Sequence, residues 1–289
     1  MWGGWERSAT AEQKAAYRLG KMDNQWGLMG QAAELAIMWI LRQKQQNKPV
    51  HSDEAWNTVA RPFLTKNWTE SQEGKWQTQP KKYCCLREHY YHVFSNKDEE
   101  NTAKRKIAQQ VQTCISNFTQ TVLPRIQNIK PIDELPIALP EAGGDVEHFI
   151  YEGVKVYAIP DYAYRHDGKI FIHDWKAGKI KEQHKMQLLL YALWAQEKHQ
   201  GKLSDLLLFV EYLNENSVLP LEPTPEDMEN LIARMSNSVA EMSEYLEDCD
   251  REKNIPLPKE EWELAEDPRN CRLCNFYELC KKELEEAPF

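Results

Sequence analysis

Residues 159–179 read IPDYAYRHDGKIFIHDWKAGK, and this stretch decides the fold. The turn sequence HDGK at residues 166–169 is followed by a run of β-branched and aromatic residues, which predicts a β-hairpin. We expect its first strand to cover residues 154–158 and to end at Asp161, and its second strand to pass through residues 170–172. Asp174 and Lys176 stand two positions apart on that second strand, so their side chains share one face.

The sequence on either side of the hairpin predicts helices and one further strand. Helix formers dominate residues 8–46 and 86–126, and a helix at 181–199 precedes a buried strand at 206–212. Thr224 and Pro225 are typical of the start of a helix, which we extend to about Cys249. We therefore predict one α/β domain over residues 1–289, with a mixed central sheet flanked by helices. Its expected parts are helices at 8–130, a sheet core at 145–215, and a helix with a cysteine tail at 224–289.

The composition is that of a globular protein with a formal net charge of −9. The acidic balance excludes a protein that coats nucleic acid nonspecifically, because such binding depends on many Lys and Arg contacts to phosphate. Glu34 interrupts the most apolar run, residues 28–41, so no segment approaches the roughly 18 uncharged residues of a membrane span. Residues 1–7 lack the pattern of a signal peptide. We therefore expect a cytoplasmic protein with no membrane association.

Two acids and an amine stand out within the apolar hairpin: Asp161, Asp174 and Lys176. Neighbouring carboxylates repel one another, and a bound divalent cation reverses that repulsion and holds both ionised. Mg²⁺ takes such oxygen ligands and keeps several waters, one of which can act as a nucleophile beside Lys176. The alternative is a set of solvated turn residues with an exposed ion pair of little energetic value. Their apolar surroundings favour the metal site, since unpaired charges are costly there.

The order of these residues resembles the PD-(D/E)xK nuclease signature. Residues 174–179, DWKAGK, are similar to the form common in the RecB-like branch of that superfamily, which also carries Gln-x-x-x-Tyr on the following helix. Gln187 and Tyr191 occupy that place, and an i, i+4 pair shares one helical face. The resemblance implies a restriction-endonuclease-like fold in which both residues contact DNA. It also implies Mg²⁺ or Mn²⁺ at Asp161, Asp174 and the backbone carbonyl of Trp175.

The same family uses one more acidic residue or histidine on an N-terminal helix, often after glycine with three residues between. Gly30 and Glu34 fit that shape, so the resemblance implies Glu34 as a further catalytic metal ligand. The alternative for Glu34 is the polar edge of an amphipathic helix. Weaker candidates for this ligand are His92, Glu147 and His148.

The C-terminal tail places three cysteines in the spacing C-x2-C-x5-C: Cys271, Cys274 and Cys280. Three thiolates so close in sequence can converge on one metal centre, and a zinc or iron–sulfur site needs a fourth ligand. Cys84 and Cys85 are the candidates for it, and Cys114 and Cys249 are read as structural. The arrangement resembles the iron–sulfur RecB-like nucleases of CRISPR adaptation and the AddB subunit of recombination complexes. That resemblance implies a [4Fe–4S] cluster that staples a helical region, and zinc is the alternative.

The resemblance as a whole implies a metal-dependent DNA nuclease, and more narrowly an exonuclease on single-stranded or flapped ends. Repair, recombination and CRISPR adaptation are its implied settings, with helicase, recombination or CRISPR adaptation partners. Two other functions remain open: a catalytically inactive nuclease-fold module that binds DNA or assembles a complex, and a metal-dependent enzyme with another substrate. Two sets of residues are candidate DNA contacts: Trp175 and Trp194 for stacking on bases, and Lys176, Lys179, Lys181 and Lys185 for a basic rim.

Overall fold

The computed structural model describes residues 6–126, 130–133, 148–263, 265 and 267–286. Its chain forms two compact units. The core unit is Lys21–Pro223, and the second unit combines Met1–Gly20 with Thr224–Phe289. The C-terminal part of the second unit begins at residue 224. The sequence predicts the start of a capped helix at this position. The expectation of a single domain over residues 1–289 stays a prediction.

The core unit contains all the strands of the described residues and most of the helices. Its longest helices are α2 and α6, which contact each other along their lengths. The helices of this unit are α2 (Gln25–Gln45), α3 (Ser52–Ala55), α4 (Arg61–Glu73), α5 (Arg87–Tyr90), α6 (Lys97–Asn117), α7 (Leu123–Ile126) and α8 (Gln183–His199). The strands are β1 (Phe149–Tyr151), β2 (Val154–Val156), β3 (Tyr162–His166), β4 (Lys169–Lys176), β5 (Leu206–Tyr212) and β6 (Ser217–Leu221).

The main sheet has four strands in the order β3-β4-β5-β6. The β4–β5 pair is parallel, with Asp174 opposite Val210, and the two outer pairs are antiparallel. Helix α8 connects the two parallel strands, as a crossover between parallel strands requires. The predicted fold class, a mixed α/β sheet flanked by helices, is therefore confirmed.

The β3–β4 hairpin forms at the predicted turn, because Asp167 and Gly168 both adopt positive φ, as a two-residue hairpin turn of this kind requires. The expected pairing of its first strand is wrong. Residues 154–156 form β2 and pair with β1 in a separate two-stranded sheet, and β3 pairs with β4 instead. Pro160, which lacks an N–H group, stands between β2 and β3. Asp161 consequently precedes strand β3 rather than ending a strand.

The hydrophobic core of this unit packs α2 and α6 against the sheet. Apolar positions of α2 recur at helical spacing and are fully buried, as the sequence predicts; they include Leu28, Ala32, Ile37 and Leu41. Phe118 begins the π-helical segment that continues α6, and its ring packs edge-on against the ring of Trp175 at a centroid distance of 5.1 Å. The core therefore holds in place the side chains on the face of β4 that is opposite to Asp174.

The second unit is helical in the described residues. Its helices are α1 (Ala11–Leu19), α9 (Pro225–Ser243), α10 (Pro268–Arg272) and α11 (Tyr277–Glu286). Thr224 caps α9 in a capping box with Asp227, as the sequence predicts, and Pro225 takes the first helical position. The sequence predicts that α9 continues to about Cys249, but the helix ends at Ser243. Asp248 and Cys249 both adopt positive φ, which is not a helical conformation.

No helix of the described residues is long and apolar enough to cross a membrane.

Candidate active site

A cavity of about 950 Å³ opens in the core unit where β4 ends. Residues from α2, α6, α8 and the hairpin line it, and four of them are the acids and the amine that the sequence singles out. The lining includes Trp26, Gly30, Glu34, Lys106, Asp161, Asp174, Lys176, Lys179, Lys181, Gln187 and Tyr191. The fold therefore brings residues as far apart in sequence as Asn24 and Glu215 to one concave surface.

Asp161 is held by the backbone of the neighbouring strand. Its Oδ2 accepts a hydrogen bond of 2.6 Å from the backbone N–H of Trp175. The indole of Trp175 is only 8% exposed and faces the core. Trp175 thus contributes its backbone to this site, and the role of its carbonyl as a metal ligand stays a prediction.

Asp174 and Lys176 lie on the same face of β4, as their spacing predicts. Asp174 is 1% exposed, and Lys176 Nζ lies 2.7 Å from its Oδ2. Lys176 is the charged partner of this oxygen, and because a carboxylate oxygen carries two lone pairs, Oδ2 keeps capacity for a further ligand. A buried carboxylate with a spare lone pair is a suitable ligand for a small cation.

Glu34 reaches the same cavity from the middle of α2. Burial raises the pKa of this carboxyl, while the charge of Lys176 lowers it and the charge of Asp174 raises it. These two influences show that Glu34 lies close enough to both groups to interact electrostatically. The structure therefore places Glu34 at the site rather than at a polar helix edge away from it.

Gln187 and Tyr191 form a hydrogen-bonded chain that ends on Asp174. Gln187 Nε2 donates to the Tyr191 oxygen at 2.7 Å, and the Tyr191 hydroxyl donates to Asp174 Oδ1 at 2.9 Å. Tyr191 is buried and Gln187 is half-buried. In this arrangement Tyr191 orients a carboxylate, and direct contact of either residue with DNA stays a prediction.

The electrostatics of the site favour a cation. Burial raises the pKa of Asp161 well above its usual range, and the charges of Asp174 and Glu34 raise it further. Three carboxylates crowded in this way supply hard oxygen donors of the kind that Mg²⁺ and Mn²⁺ take. Among the described residues, no three His, Cys, Asp or Glu side chains converge at metal-binding distance. Asp161 Oδ2 and Asp174 Oδ2 are instead directed at the Trp175 amide and at Lys176.

The weaker candidates for the third ligand do not reach this cavity. His92 and His148 are described and do not line it, and His148 lies beside the ring of Tyr157. Glu147 lies outside the described residues. Of the candidates that the structure describes, Glu34 is the one that the fold brings to the two aspartates.

The C-terminal cysteines lie together in the second unit. Cys271 lies in α10, Cys280 lies in α11, and Cys274 lies in the segment between these helices. Burial raises the pKa of Cys280, Lys259 lowers it, and Glu283, Cys274 and Cys271 raise it further, so the three thiols are close enough to interact. This proximity suits three ligands of one metal centre, although their sulfur atoms do not converge at metal-binding distance.

Cys84 and Cys85 belong to the core unit. Burial raises the pKa of each thiol to about 12, and the side chain of Cys85 is fully buried while Cys84 is half-buried. All seven cysteines of the chain are free thiols. Their role as metal ligands stays a prediction.

The structure corrects the candidate DNA contacts. Trp175 and Trp194 are 8% and 3% exposed, so neither ring is available for stacking on a base. Lys176, Lys179 and Lys181 line the cavity as the predicted basic rim, whereas Lys185 does not. Sequence reasoning missed Trp26 and Lys106, which line the same cavity. The i, i+4, i+8 spacing of Trp26, Gly30 and Glu34 was the signal that would have found the tryptophan.

Comparison with known proteins agrees with this geometry. A family model described as the PD-(D/E)XK nuclease superfamily matches residues 29–281, which is most of the chain and includes every residue of the acidic cluster. A comparison with curated proteins finds no match. The chain belongs to the PD-(D/E)XK nuclease superfamily.

Proposed function

We propose that the protein is a Mg²⁺- or Mn²⁺-dependent deoxyribonuclease that acts as an exonuclease on single-stranded or flapped DNA ends. The superfamily indicates a metal-dependent nuclease with a nucleic acid substrate. The observation that carries the proposal is the convergence of Glu34, Asp161, Asp174 and Lys176 on one cavity. A protein that only binds DNA has no need of three crowded carboxylates, since they repel phosphate.

Each residue has a distinct part in this proposal. Asp161, Asp174 and Glu34 would hold the divalent ion, with the Trp175 carbonyl as an additional ligand. The ion would lower the pKa of a water molecule and offset the charge that grows on the phosphate. Lys176 would orient the attacking water or stabilise the phosphate, because its ammonium group already lies beside Asp174.

Tyr191 supports the site from behind. Its hydroxyl holds Asp174 Oδ1, and Gln187 holds the hydroxyl in turn. Hydrogen bonds of this kind fix the orientation of a metal-binding carboxylate. An Asp174 carboxylate held in one orientation would stay in position while the geometry of the phosphate changes during the reaction.

The biological setting follows from the resemblance to RecB-like nucleases. It supports processing of DNA ends in repair, recombination or CRISPR adaptation, beside a helicase or recombination partner. The seven free cysteines support a reducing compartment such as the cytoplasm.

A [4Fe–4S] cluster at Cys271, Cys274 and Cys280 is a second part of the proposal, and the resemblance implies Cys84 or Cys85 as the fourth ligand. Protein purified without oxygen should be brown and contain iron, and Cys271→Ser should lose both. The exposed Cys249 gives the control, since Cys249→Ser should keep the colour. A colourless protein with bound zinc would replace the cluster by a zinc site, and a metal-free protein would remove this part of the proposal.

Digestion of end-labelled DNA tests the nuclease. We expect the wild type with Mn²⁺ to shorten linear single strands and to leave circular single strands intact. Asp174→Ala and Lys176→Ala should abolish cleavage and keep DNA binding. The same hairpin offers matched controls at its exposed turn, Asp167→Asn and Lys169→Ala, which should cleave normally.

The possible outcomes separate the hypotheses. Cleavage by Asp174→Ala would refute the mechanism, and cleavage of circular strands would make the enzyme an endonuclease. A wild type that binds single strands and never cuts them would be an inactive binding module.

A further inference from the structure

Trp26 is an exposed aromatic residue in a cavity whose lining combines charged groups with apolar side chains such as Met29 and Ile37. Among the described tryptophans, only Trp26 and Trp262 are more than 40% exposed, at 46% and 48%. The ring of Trp262 stacks on Tyr245 at a centroid distance of 4.6 Å. Trp26 instead lines the cavity that holds the carboxylates. A large ring left exposed in a concave site is available to a ligand.

The helix carries Trp26 at a defined distance from the acids. Trp26, Gly30 and Glu34 follow one another at intervals of four residues, and all three line the cavity. Eight residues of helix correspond to about 12 Å along its axis. A stacked strand rises about 3.4 Å per nucleotide, so this length covers roughly three to four nucleotides. A side chain at Gly30 would meet no atom within 4 Å, so the path between the ring and Glu34 is open.

Lys106 completes the surface from α6. Its Nζ lies 5.4 Å from the centre of the Trp26 ring, which is the geometry of a cation–π contact. Lys106 is exposed and lines the same cavity. Its ammonium group can therefore bind a phosphate next to a base that stacks on the ring.

We infer that Trp26 and Lys106 form a base-stacking platform that selects an unpaired strand over duplex DNA; this rests on the proposed nuclease function. The face of an unpaired base is free to stack on a tryptophan ring, whereas a base within a duplex is covered by its neighbours on both faces. Lys106 adds a contact to the backbone that is independent of sequence. Trp26 is thus a specificity-determining residue, about three to four stacked nucleotides from the cleavage centre.

Binding of two oligonucleotides with the same charge tests the platform. One is oligo-dT, and the other is an abasic oligomer of equal length, which keeps every phosphate and lacks the bases. Affinities are measured with Ca²⁺ as the cation for the wild type, Trp26→Ala, Trp26→Phe, Lys106→Gln and the control Trp262→Ala. Trp26 is half in solvent, so its replacement leaves the core unchanged.

The wild type should bind oligo-dT about 5- to 150-fold more tightly than the abasic oligomer, which is the range for stacking of one base. Trp26→Ala should bring this ratio close to one, Trp26→Phe should keep part of it, and Trp262→Ala should keep all of it. Lys106→Gln should weaken binding of both oligomers equally and reduce the salt dependence by about one phosphate contact.

A ratio that is unchanged in Trp26→Ala overturns the platform, and so does a wild type with equal affinity for both oligomers. Cleavage of oligo-dT by the wild type with Mn²⁺ reports separately on the proposed function. If the wild type cleaves and the ratio is unchanged, only the platform falls. If the wild type never cleaves while Trp26→Ala removes the ratio, the platform holds and the nuclease falls.

Discussion

Charged side chains are buried on both faces of strand β4, and the two faces differ in the groups that surround the acids. On one face, Asp174 lies with Asp161 and Glu34, three acids with Lys176 as the basic group beside them. On the other face, Glu211 accepts hydrogen bonds from Arg125 at 3.0 and 3.1 Å and contacts His173 Nδ1 at 3.0 Å.

The pKa shifts express the same contrast. Burial raises the pKa of Asp161, and the neighbouring carboxylates add to the effect. Burial also works to raise the pKa of Glu211, but the hydrogen bond from His173 and the charge of Arg125 outweigh it and lower this pKa. Burial lowers the pKa of His173 itself. The contact between His173 and Glu211 is therefore a hydrogen bond from a neutral imidazole. A buried acid held by an arginine and a histidine supports the fold, and a cluster in which three acids lie beside one lysine marks a place for a cation.

The largest expected effect separates activity from stability at Asp174. We expect Asp174→Asn to lower the single-turnover cleavage rate by about a thousandfold, which corresponds to about 4 kcal/mol, because the ion loses a ligand. The free energy of unfolding in EDTA should fall by less than about 1 kcal/mol, since the substitution also removes repulsion from the acidic cluster. Urea unfolding of both proteins in EDTA gives this comparison. A loss of stability as large as the loss of activity would make Asp174 a structural residue.

The opposite face should show the reverse behaviour. We expect Glu211→Gln to lower the free energy of unfolding by about 2–3 kcal/mol, because it breaks a buried charge pair. This value lies at or below the lower end of the usual range of about 3–5 kcal/mol for a broken buried pair, since Arg125 retains access to solvent. The exposed Glu197 provides the control, and Glu197→Gln should change stability by less than about 0.5 kcal/mol. Equal effects of the two substitutions would remove the distinction between the faces.

The hydroxyl of Tyr191 supports the face of β4 that carries Asp174. Tyr191→Phe keeps the buried ring and removes the hydrogen bond to Asp174. We expect a 10- to 100-fold loss of activity or of Mn²⁺ affinity, which is typical of residues that orient a metal ligand. Tyr157, which is exposed, gives the matched control, and Tyr157→Phe should have normal activity. A Tyr191→Phe protein with wild-type dependence on Mn²⁺ would show that the hydroxyl does not orient Asp174.

The site was predictable where its signal is local. Asp174 and Lys176 two positions apart on one strand, and Gln187 and Tyr191 four positions apart on one helix, follow from the geometry of those elements. The buried strand β5 was predicted with its observed limits because residues 206–210 form a continuous apolar run, which only Glu211 interrupts before Tyr212. Asp161 was assigned to the wrong end of a strand, since periodicity alone gave no indication that β2 pairs with β1.

The other face of β4 could not be predicted in the same way. Arg125 and Glu211 are 86 positions apart in sequence, and their pairing depends on tertiary packing. Residue patterns report which side chains share a face of one element, and they do not report which elements meet. The burial of the Trp175 ring was, by contrast, predictable from the strand alone, because a tryptophan between two site residues of a strand must point to the opposite face.

The smallest expected effect concerns how the free energy of unfolding depends on pH. This dependence should have opposite signs for the acids on the two faces of β4. In EDTA, the raised pKa of Asp161 means that the folded protein keeps a proton that the unfolded chain, titrating near 3.8, has released. Its contribution to stability is therefore complete below about pH 3.8 and is lost as the pH rises through the folded pKa. Asp161→Asn removes this loss, so the variant should gain stability relative to the wild type as the pH rises from about 4 to 8.

Glu211 should give the opposite slope. Its pKa is lowered from 4.5, so its contribution is present above that value and is lost as the pH falls through the folded pKa. The cost of Glu211→Gln should therefore shrink as the pH falls below about 4.5, by about 1.4 kcal/mol for each pKa unit between the two states. Urea unfolding of the wild type and both variants over this pH range measures both slopes. Slopes of the same sign would mean that the two faces of β4 hold their acids in equivalent surroundings, and the assignment of one face to a cation would lose its electrostatic basis.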